Sequence, residues 1–138
     1  MSPKKLAPTY RDARGRRISP ANAVVRAVED VLALRKIWYR RLNSRTVLLP
    51  GAGGRERPVY FGSLGMADIL ATPWVPFAGV ARPVLLWIEC KSGTGRQSDA
   101  QRAFEAQVVA AGHFYLVAHD SADEVENWLR SSEARGNP

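Results

Sequence analysis

The chain has 138 residues, of which 46% are hydrophobic, and a formal net charge of +7. A chain of this length encloses one compact core, so we expect a single folded domain. No apolar run approaches the roughly 20 residues of a membrane span, and the N-terminus lacks the apolar stretch of a signal peptide, which predicts a cytoplasmic protein with no membrane partner.

The composition limits the kinds of metal site that are possible. Cys90 is the single cysteine, and His113 and His119 are the two histidines. These three residues exclude an intrachain disulfide and a Cys/His zinc cluster. Any metal ion is therefore expected to have oxygen ligands.

The positive charge is concentrated in one part of the chain. Residues 1–102 contain 18 of the 20 Lys and Arg residues and 7 of the 13 Asp and Glu residues. A local excess of this kind favours a polyanionic partner such as nucleic acid. An ordinary basic protein without such a partner is an equally good interpretation of charge alone.

The first elements follow from capping and spacing. Residues 1–18 are basic and lack apolar periodicity, which predicts a flexible arm. Ser19 and Pro20 are typical of an N-cap and a first helical residue, and apolar residues at 3–4 spacing predict a helix to about Leu42. Glu29 lies beside the buried stripe of this helix, where it either faces a site or pairs with Arg26 or Lys36.

Residues 43–91 have the pattern of strands and turns. Short strands are expected at 46–49 and 58–61 around a Gly-rich hairpin tip, and another at 66–72. Asp68 is embedded in that third strand, where Asp is disfavoured and needs an explanation. The Pro-containing segment 73–83 is interpreted as a loop, and 84–91 as a further strand.

The strand at 84–91 ends in two charges on one face. Because side chains alternate along a strand, Trp87, Glu89 and Lys91 share a face, opposite Ile88 and Cys90. Burying unpaired charges is unfavourable, so these two need a partner, a metal ion or solvent.

The last third predicts helix, strand and helix. Ser98 and Gln101 fit a capping box at the start of a helix, yet Gln101 also begins the apolar stripe, so either role is open. Gly112 ends that helix, 113–119 forms a strand, and a final helix runs to about Leu129 before a disordered tail at 131–138. The strand–helix–strand step predicts a parallel pair in a mixed sheet.

Together these residues resemble a known family. The segments 65–68 (Gly-Met-Ala-Asp) and 88–91 (Ile-Glu-Cys-Lys), followed by Ser98, Gln101 and Ala111-Gly112, are similar to the VRR-NUC group of the PD-(D/E)XK nucleases, over about residues 20–129. The resemblance implies an α/β fold with a restriction-endonuclease-like core, a mixed central β-sheet flanked by helices in the order α-β-β-β-β-α-β-α. It implies a nuclease domain at 19–130.

The resemblance also implies the roles of particular residues. Asp68, Glu89 and the main-chain carbonyl of Cys90 would bind Mg²⁺ or Mn²⁺, and Glu29 would reach the metal through water. Lys91 would be the catalytic lysine, supported by Gln101. Ala67 departs from the Pro or Ser that often precedes the Asp in this group, and Cys90 replaces an aliphatic residue.

The implied activity is hydrolysis of DNA phosphodiester bonds. Stand-alone members of the group are similar to Holliday-junction resolvases and act as homodimers, which implies a branched DNA substrate; nicking, flap cleavage, general duplex cleavage and a non-catalytic basic DNA-binding module are the alternatives. The cellular setting implied is a bacterial or phage-infected cell, near the nucleoid. The residues expected to contact DNA are Arg35, Lys36, Arg40, Arg41, Arg45, Arg55, Arg57, Ser92, Arg96, Ser98 and Arg102.

Overall fold

A computed structural model describes residues 10–42, 45–61 and 64–134. Its elements, in chain order, are β1 (Tyr10–Arg11), β2 (Arg17–Ile18), α1 (Pro20–Leu34), β3 (Tyr39–Arg41), β4 (Arg45–Pro50), a 3₁₀ turn (Ala52–Gly54), β5 (Glu56–Phe61), β6 (Ile69–Ala71), β7 (Trp74–Phe77), β8 (Val80–Pro83), β9 (Leu86–Lys91), α2 (Asp99–Ala110), β10 (Phe114–His119) and α3 (Asp123–Ala134). The mixed α/β class is confirmed, whereas the predicted element order is wrong.

A four-stranded mixed sheet in the order β10-β9-β6-β3 forms the centre of the fold. The pairs β3/β6 and β6/β9 are antiparallel, and β9/β10 is parallel, with Glu89 opposite Val117 and Lys91 opposite His119. The predicted parallel pair across a helical crossover is therefore confirmed.

The core lies on one face of this sheet, beneath α1 and α3. Apolar side chains from both helices meet alternate residues of the strands there: Val24, Val25, Val28, Leu32, Ile69, Ala71, Leu86, Ile88, Cys90, Ala118, Ala122, Val125 and Leu129. Helix α2 covers the opposite face, where the ring of Phe104 packs edge-on against Trp87 at a centroid distance of 5.1 Å. The two faces thus hold different chemistry, apolar beneath α1 and partly polar beneath α2.

Helix α1 begins as predicted and ends earlier. Ser19 Oγ accepts the N–H of Asn22 at 3.2 Å, and Pro20 is the first helical residue. The helix stops at Leu34, not Leu42, because Lys36 has a φ of 56° and the N–H of Ile37 donates to Leu32 O at 2.9 Å. This pairing is a Schellman motif with Lys in the left-handed position that Gly usually takes. Residues 39–41 become an edge strand instead.

Two hairpins occupy segments for which the sequence predicted no regular structure. In 10–18, expected to be part of a flexible arm, Asp12 Oδ1 accepts the N–H groups of Arg14 and Arg16 at 2.9 and 2.8 Å and closes a turn between β1 and β2. In 73–83, expected to be a loop, Ala78 and Gly79 both have positive φ, the geometry of a tight hairpin turn between β7 and β8.

Three smaller outcomes concern element bounds. The hairpin β4/β5 is confirmed and forms a two-stranded sheet of its own. The strand predicted at 66–72 is confined to 69–71, so Asp68 lies just before it. Residues 131–134, predicted to be disordered, belong to α3, whereas 1–9 and 135–138 lie outside the described residues.

No helix in the described ranges combines the length and apolar character needed to cross a membrane.

Candidate active site

Six of the predicted site residues line one cleft at the end of the sheet, counting Cys90 and also Arg41, which is expected to contact DNA. The cleft has a volume of about 490 Å³ and is bounded by the first turns of α1 and α2 and by the ends of β3 and β9. Asp68, Glu89, Lys91 and Gln101 all line it, together with Cys90. Residues from distant parts of the sequence therefore converge as the sequence predicts.

Asp68 is fixed against the neighbouring strand. Its Oδ2 accepts the N–H of Cys90 at 2.8 Å, and its own N–H donates to Ile88 O at 3.1 Å. Its carbonyl accepts the N–H of Leu42 at 2.7 Å, which extends the pairing with β3 by one residue. This position explains an Asp among apolar neighbours, since its carboxylate bonds the backbone and faces the cleft.

Glu89 is a buried carboxylate with one bonded oxygen. The residue is 2% exposed, its Oε1 accepts an N–H of Gln101 at 2.7 Å, and Lys91 Nζ lies 3.4 Å from the same oxygen. Its Oε2 is buried and has no hydrogen-bond partner among the described residues. A buried oxygen without a partner is unusual in proteins and calls for an explanation, such as a water, an ion or a catalytic role.

Burial raises the pKa of Glu89 to about 7. Loss of hydration is the largest cause, repulsion from the Asp68 carboxylate adds to it, and Lys91 opposes both. Burial likewise raises the pKa of the Cys90 thiol well above its usual range, so this side chain stays neutral and contributes its backbone groups to the cleft.

Gln101 performs both roles that the sequence leaves open. Its Oε1 accepts the N–H of Ser98 at 2.8 Å and completes the capping box of α2. The same oxygen accepts from Lys91 Nζ at 2.9 Å while its amide nitrogen donates to Glu89. One side chain thus caps the helix and ties the two charges of β9 together.

The position of α2 is fixed by contacts on both sides of Gln101. Behind it, Phe104 packs against Trp87 and Tyr115. In front, Gly65 has a φ of +78°, and a Cβ added there would lie 2.3 Å from the carbonyl carbon of Ala100. The loop that leads to Asp68 therefore touches the first turn of α2 backbone to backbone.

Glu29 is not among the described residues that line the cleft. Its Oε1 lies 3.8 Å from a guanidinium nitrogen of Arg41, which does line the cleft. The ion pairs proposed with Arg26 or Lys36 are thus replaced by one with Arg41. Its water-mediated role remains a prediction.

Sequence reasoning missed Asn22. Its Oδ1 accepts from Arg41 at 2.8 Å, and both residues line the cleft. The available signal was its spacing, because Asn22 precedes Val25 by three residues and Glu29 by seven and so shares their helical row.

The other residues expected to contact DNA do not gather around the active-site cleft. The guanidinium group of Arg35 donates to Glu126 and Glu133 at 2.7 and 2.8 Å. Arg35 and Lys36 both line a different cleft. Ser98 caps α2, and Arg102 donates to Gln97 O at 3.0 Å and pairs with Asp99. Exposed cations remain at Arg40, Arg55, Arg57 and Arg96, Ser92 is half-buried, and the side chain of Arg45 lies outside the described residues.

One observation supports metal binding in the cleft, and another restricts the kind of metal site that is possible there. Within residues 10–42, 45–61 and 64–134, no three His, Cys, Asp or Glu side chains form a group that could hold a metal ion. The predicted ligand set is of another kind, two carboxylates with a main-chain carbonyl. Glu89 Oε2, which has no partner among the described residues, and the carboxylate of Asp68 share the cleft and fit a divalent cation, which prefers such oxygen ligands.

Comparison of the chain with protein-family models, with curated proteins and with solved structures finds no match.

Proposed function

We propose that the chain is a metal-dependent DNA endonuclease that hydrolyses phosphodiester bonds, with its active site in the cleft of Asp68, Glu89, Lys91 and Gln101. The observation that carries the proposal is the buried carboxylate of Glu89 in an open cleft, which has one oxygen fixed and the other without a partner among the described residues. A purely structural carboxylate is expected to have both oxygens bonded or exposed to water.

The donor set fits Mg²⁺ or Mn²⁺. Asp68, Glu89 and the carbonyl of Cys90 would hold the ion, and Glu29 would reach it through water. When bound, such an ion polarises a phosphoryl oxygen and makes a water molecule a better nucleophile at neutral pH.

Lys91 supplies fixed positive charge beside the two carboxylates. Its ammonium group donates to Gln101 Oε1 at 2.9 Å and lies 3.4 Å from Glu89, so its position is set before a substrate arrives. A preorganised cation stabilises the negative charge that develops on a phosphate during hydrolysis. Arg41, at the opposite wall, is held by Asn22 and is suited to contact a neighbouring phosphate.

The family proposed is the VRR-NUC group with a restriction-endonuclease-like core. Support comes from the arrangement of the sheet, in which antiparallel β3, β6 and β9 are followed by α2 and parallel β10, with Asp68 before one strand and Glu89 and Lys91 on the next. The preferred substrate is branched DNA such as a four-way junction, cut by a homodimer. The net charge of +7 supports a DNA partner.

A non-catalytic DNA-binding module is the second candidate. The observation that favours it is the set of exposed cations that lie away from the lining of the active-site cleft: Arg40, Arg55, Arg57 and Arg96. Such a module binds DNA in a salt-dependent manner and needs no divalent ion.

Cleavage assays separate the two. Four-way, Y-shaped and linear DNA are incubated at equal concentration with Mg²⁺, Mn²⁺ or EDTA, using the wild type and Lys91→Ala. We expect metal-dependent cleavage that is strongest on the four-way junction and is lost in Lys91→Ala. Arg130→Ala, which removes an exposed cation of α3, is the matched control and should keep cleavage. Binding without cleavage in either metal, or cleavage that survives Glu89→Ala, contradicts the nuclease proposal.

A further inference from the structure

A second cleft opens between the end of α1, the start of β7 and the last turns of α3. Its volume is about 300 Å³. Two of the side chains that line it are Trp38 and Trp74, which are 58% and 67% exposed. Indole is a large apolar group that folding usually buries for the most part. Two exposed indoles in one cleft form a surface that the fold itself does not require, and we call it the Trp cleft.

The Trp cleft and the active-site cleft lie at opposite ends of the same two strands. The N–H of Thr72 donates to Trp38 O at 3.0 Å at one end, and the N–H of Leu42 donates to Asp68 O at 2.7 Å at the other. At about 3.3 Å per residue, the clefts are about 10 to 13 Å apart along β3 and β6. β3 is the outermost strand of the four-stranded sheet and joins the two clefts, so a ligand that occupied both clefts would follow this strand.

The charges around the Trp cleft suit an anionic ligand. Lys36 lines the cleft and is exposed, and Arg40 is exposed on β3 between the two clefts. Glu133, an acidic residue of the wall, already accepts from Arg35 at 2.8 Å. Exposed aromatic faces beside cations are the features on which single-stranded nucleic acids bind, with bases stacked on the rings and phosphates near the charges.

We propose that the Trp cleft binds an unpaired nucleotide of the DNA strand whose phosphodiester bond lies in the active-site cleft. Its base stacks on Trp38 or Trp74, and its phosphates contact Lys36 and Arg40. The inference rests on the proposed function and deepens it, because branched DNA offers bases that are easily unstacked, whereas an intact duplex keeps its bases paired.

Binding in the absence of chemistry tests the inference. Fluorescence anisotropy of a labelled single-stranded oligothymidine is measured in EDTA at low salt, beside a blunt duplex of equal length. We expect the single strand to bind, and its affinity to fall at least about five-fold in Trp38→Ala, in Trp74→Ala or in both, the lower end of what an aromatic platform contributes per base. Phe77→Ala, which removes an aromatic residue that is 69% exposed on the same hairpin, is the matched control.

Two outcomes overturn the inference. One is an unchanged affinity for the single strand in both Trp variants. The other concerns the oligomeric state: the wild type sediments as a dimer, and either Trp substitution abolishes that dimer without changing the affinity for the oligonucleotide. In that case the Trp cleft binds a second copy of the chain. Failure of the nuclease proposal remains distinguishable: a protein that binds the oligonucleotide through Trp38 and cuts no substrate supports this inference and contradicts only the enzymatic one.

Discussion

The stability of the folded protein should depend on pH through Glu89, and Glu89→Gln should remove that dependence. The folded-state pKa of Glu89 is about 7, compared with its ordinary value of 4.5. The folded protein therefore holds this proton more tightly than the unfolded chain does. Its contribution to the free energy of unfolding is fully present below about pH 4.5 and is lost as the pH rises to about 7.

The size of the effect follows from these two pKa values. Their difference corresponds to about 3 kcal/mol of stability between the ends of that pH window. Gln has nearly the same shape as protonated Glu and keeps an oxygen that can accept from Gln101. We therefore expect Glu89→Gln to match the wild type near pH 4 and to exceed its free energy of unfolding by up to about 3 kcal/mol at pH 8.

The measurement is urea unfolding from pH 4 to pH 8 in EDTA, monitored by circular dichroism. The same substitution at Glu124, which is exposed on α3, corrects for the general effect of removing a carboxylate. A difference between the wild type and Glu89→Gln that stays constant across the pH range would falsify the assignment of Glu89 as a buried carboxylate with a raised pKa. So would a variant less stable than the wild type at pH 8.

Three further outcomes are expected at the same site. At pH 8, Mg²⁺ or Mn²⁺ should raise the thermal midpoint of unfolding of the wild type in proportion to the logarithm of the metal-ion concentration, as measured by calorimetry. The midpoint of Glu89→Gln should rise much less. Asp68→Asn should keep the hydrogen bond from the Cys90 N–H, and thus the fold, while losing cleavage. Asp68→Ala should lose cleavage and also roughly 1 to 3 kcal/mol of stability. A fully active Asp68→Asn variant contradicts a metal-binding role for Asp68. Gln101→Ala should destabilise the protein by roughly 1 to 3 kcal/mol, because it removes the capping bond to Ser98 and the bond to the buried carboxylate of Glu89. It should reduce cleavage far more than that change in folding explains, and equal losses indicate a structural role alone.

The sequence predicts the elements whose local signals agree with their surroundings. Ser19-Pro20, Ser98 with Gln101, and Gly112 each mark a helix end by side-chain or backbone chemistry, and all three fall where the structure has them. The parallel strand pair follows in the same way from a helix placed between two apolar runs.

The errors arise where the deciding interaction is distant or atypical. Apolar spacing continues past Leu34 to Trp38, but α1 ends because Lys36 adopts a left-handed conformation and β3 pairs with β6. Similarly, the Pro residues of 73–83 conceal a hairpin, whose turn at Ala78 and Gly79 lacks the Asn-Gly signature.

The candidate site was more accessible to prediction than the fold around it. Glu89 and Lys91 are recognisable because they end an apolar strand, and Asp68 because it is a carboxylate among apolar neighbours; burial of such groups demands an explanation. Asn22 carries no such signal, because a polar residue in the first turn of a helix is ordinary in any protein. Arg41 is predicted to contact DNA, but nothing in the sequence predicts Asn22 as its partner. Their meeting depends on a contact between α1 and β3 that only the folded chain reveals.

The contact between Gly65 and Ala100 has a consequence for any attempt to redesign the protein. It fixes the distance between the loop of Asp68 and the helix of Gln101 by the radii of backbone atoms, with no side chain whose rotamer could adjust it. Exchanging Glu89 or Lys91 can change the charge that the cleft presents, but it leaves the width of the cleft unchanged. Selectivity for a cation of another size would therefore depend on the main chain near residues 65 and 100 as well as on the groups that would bind it.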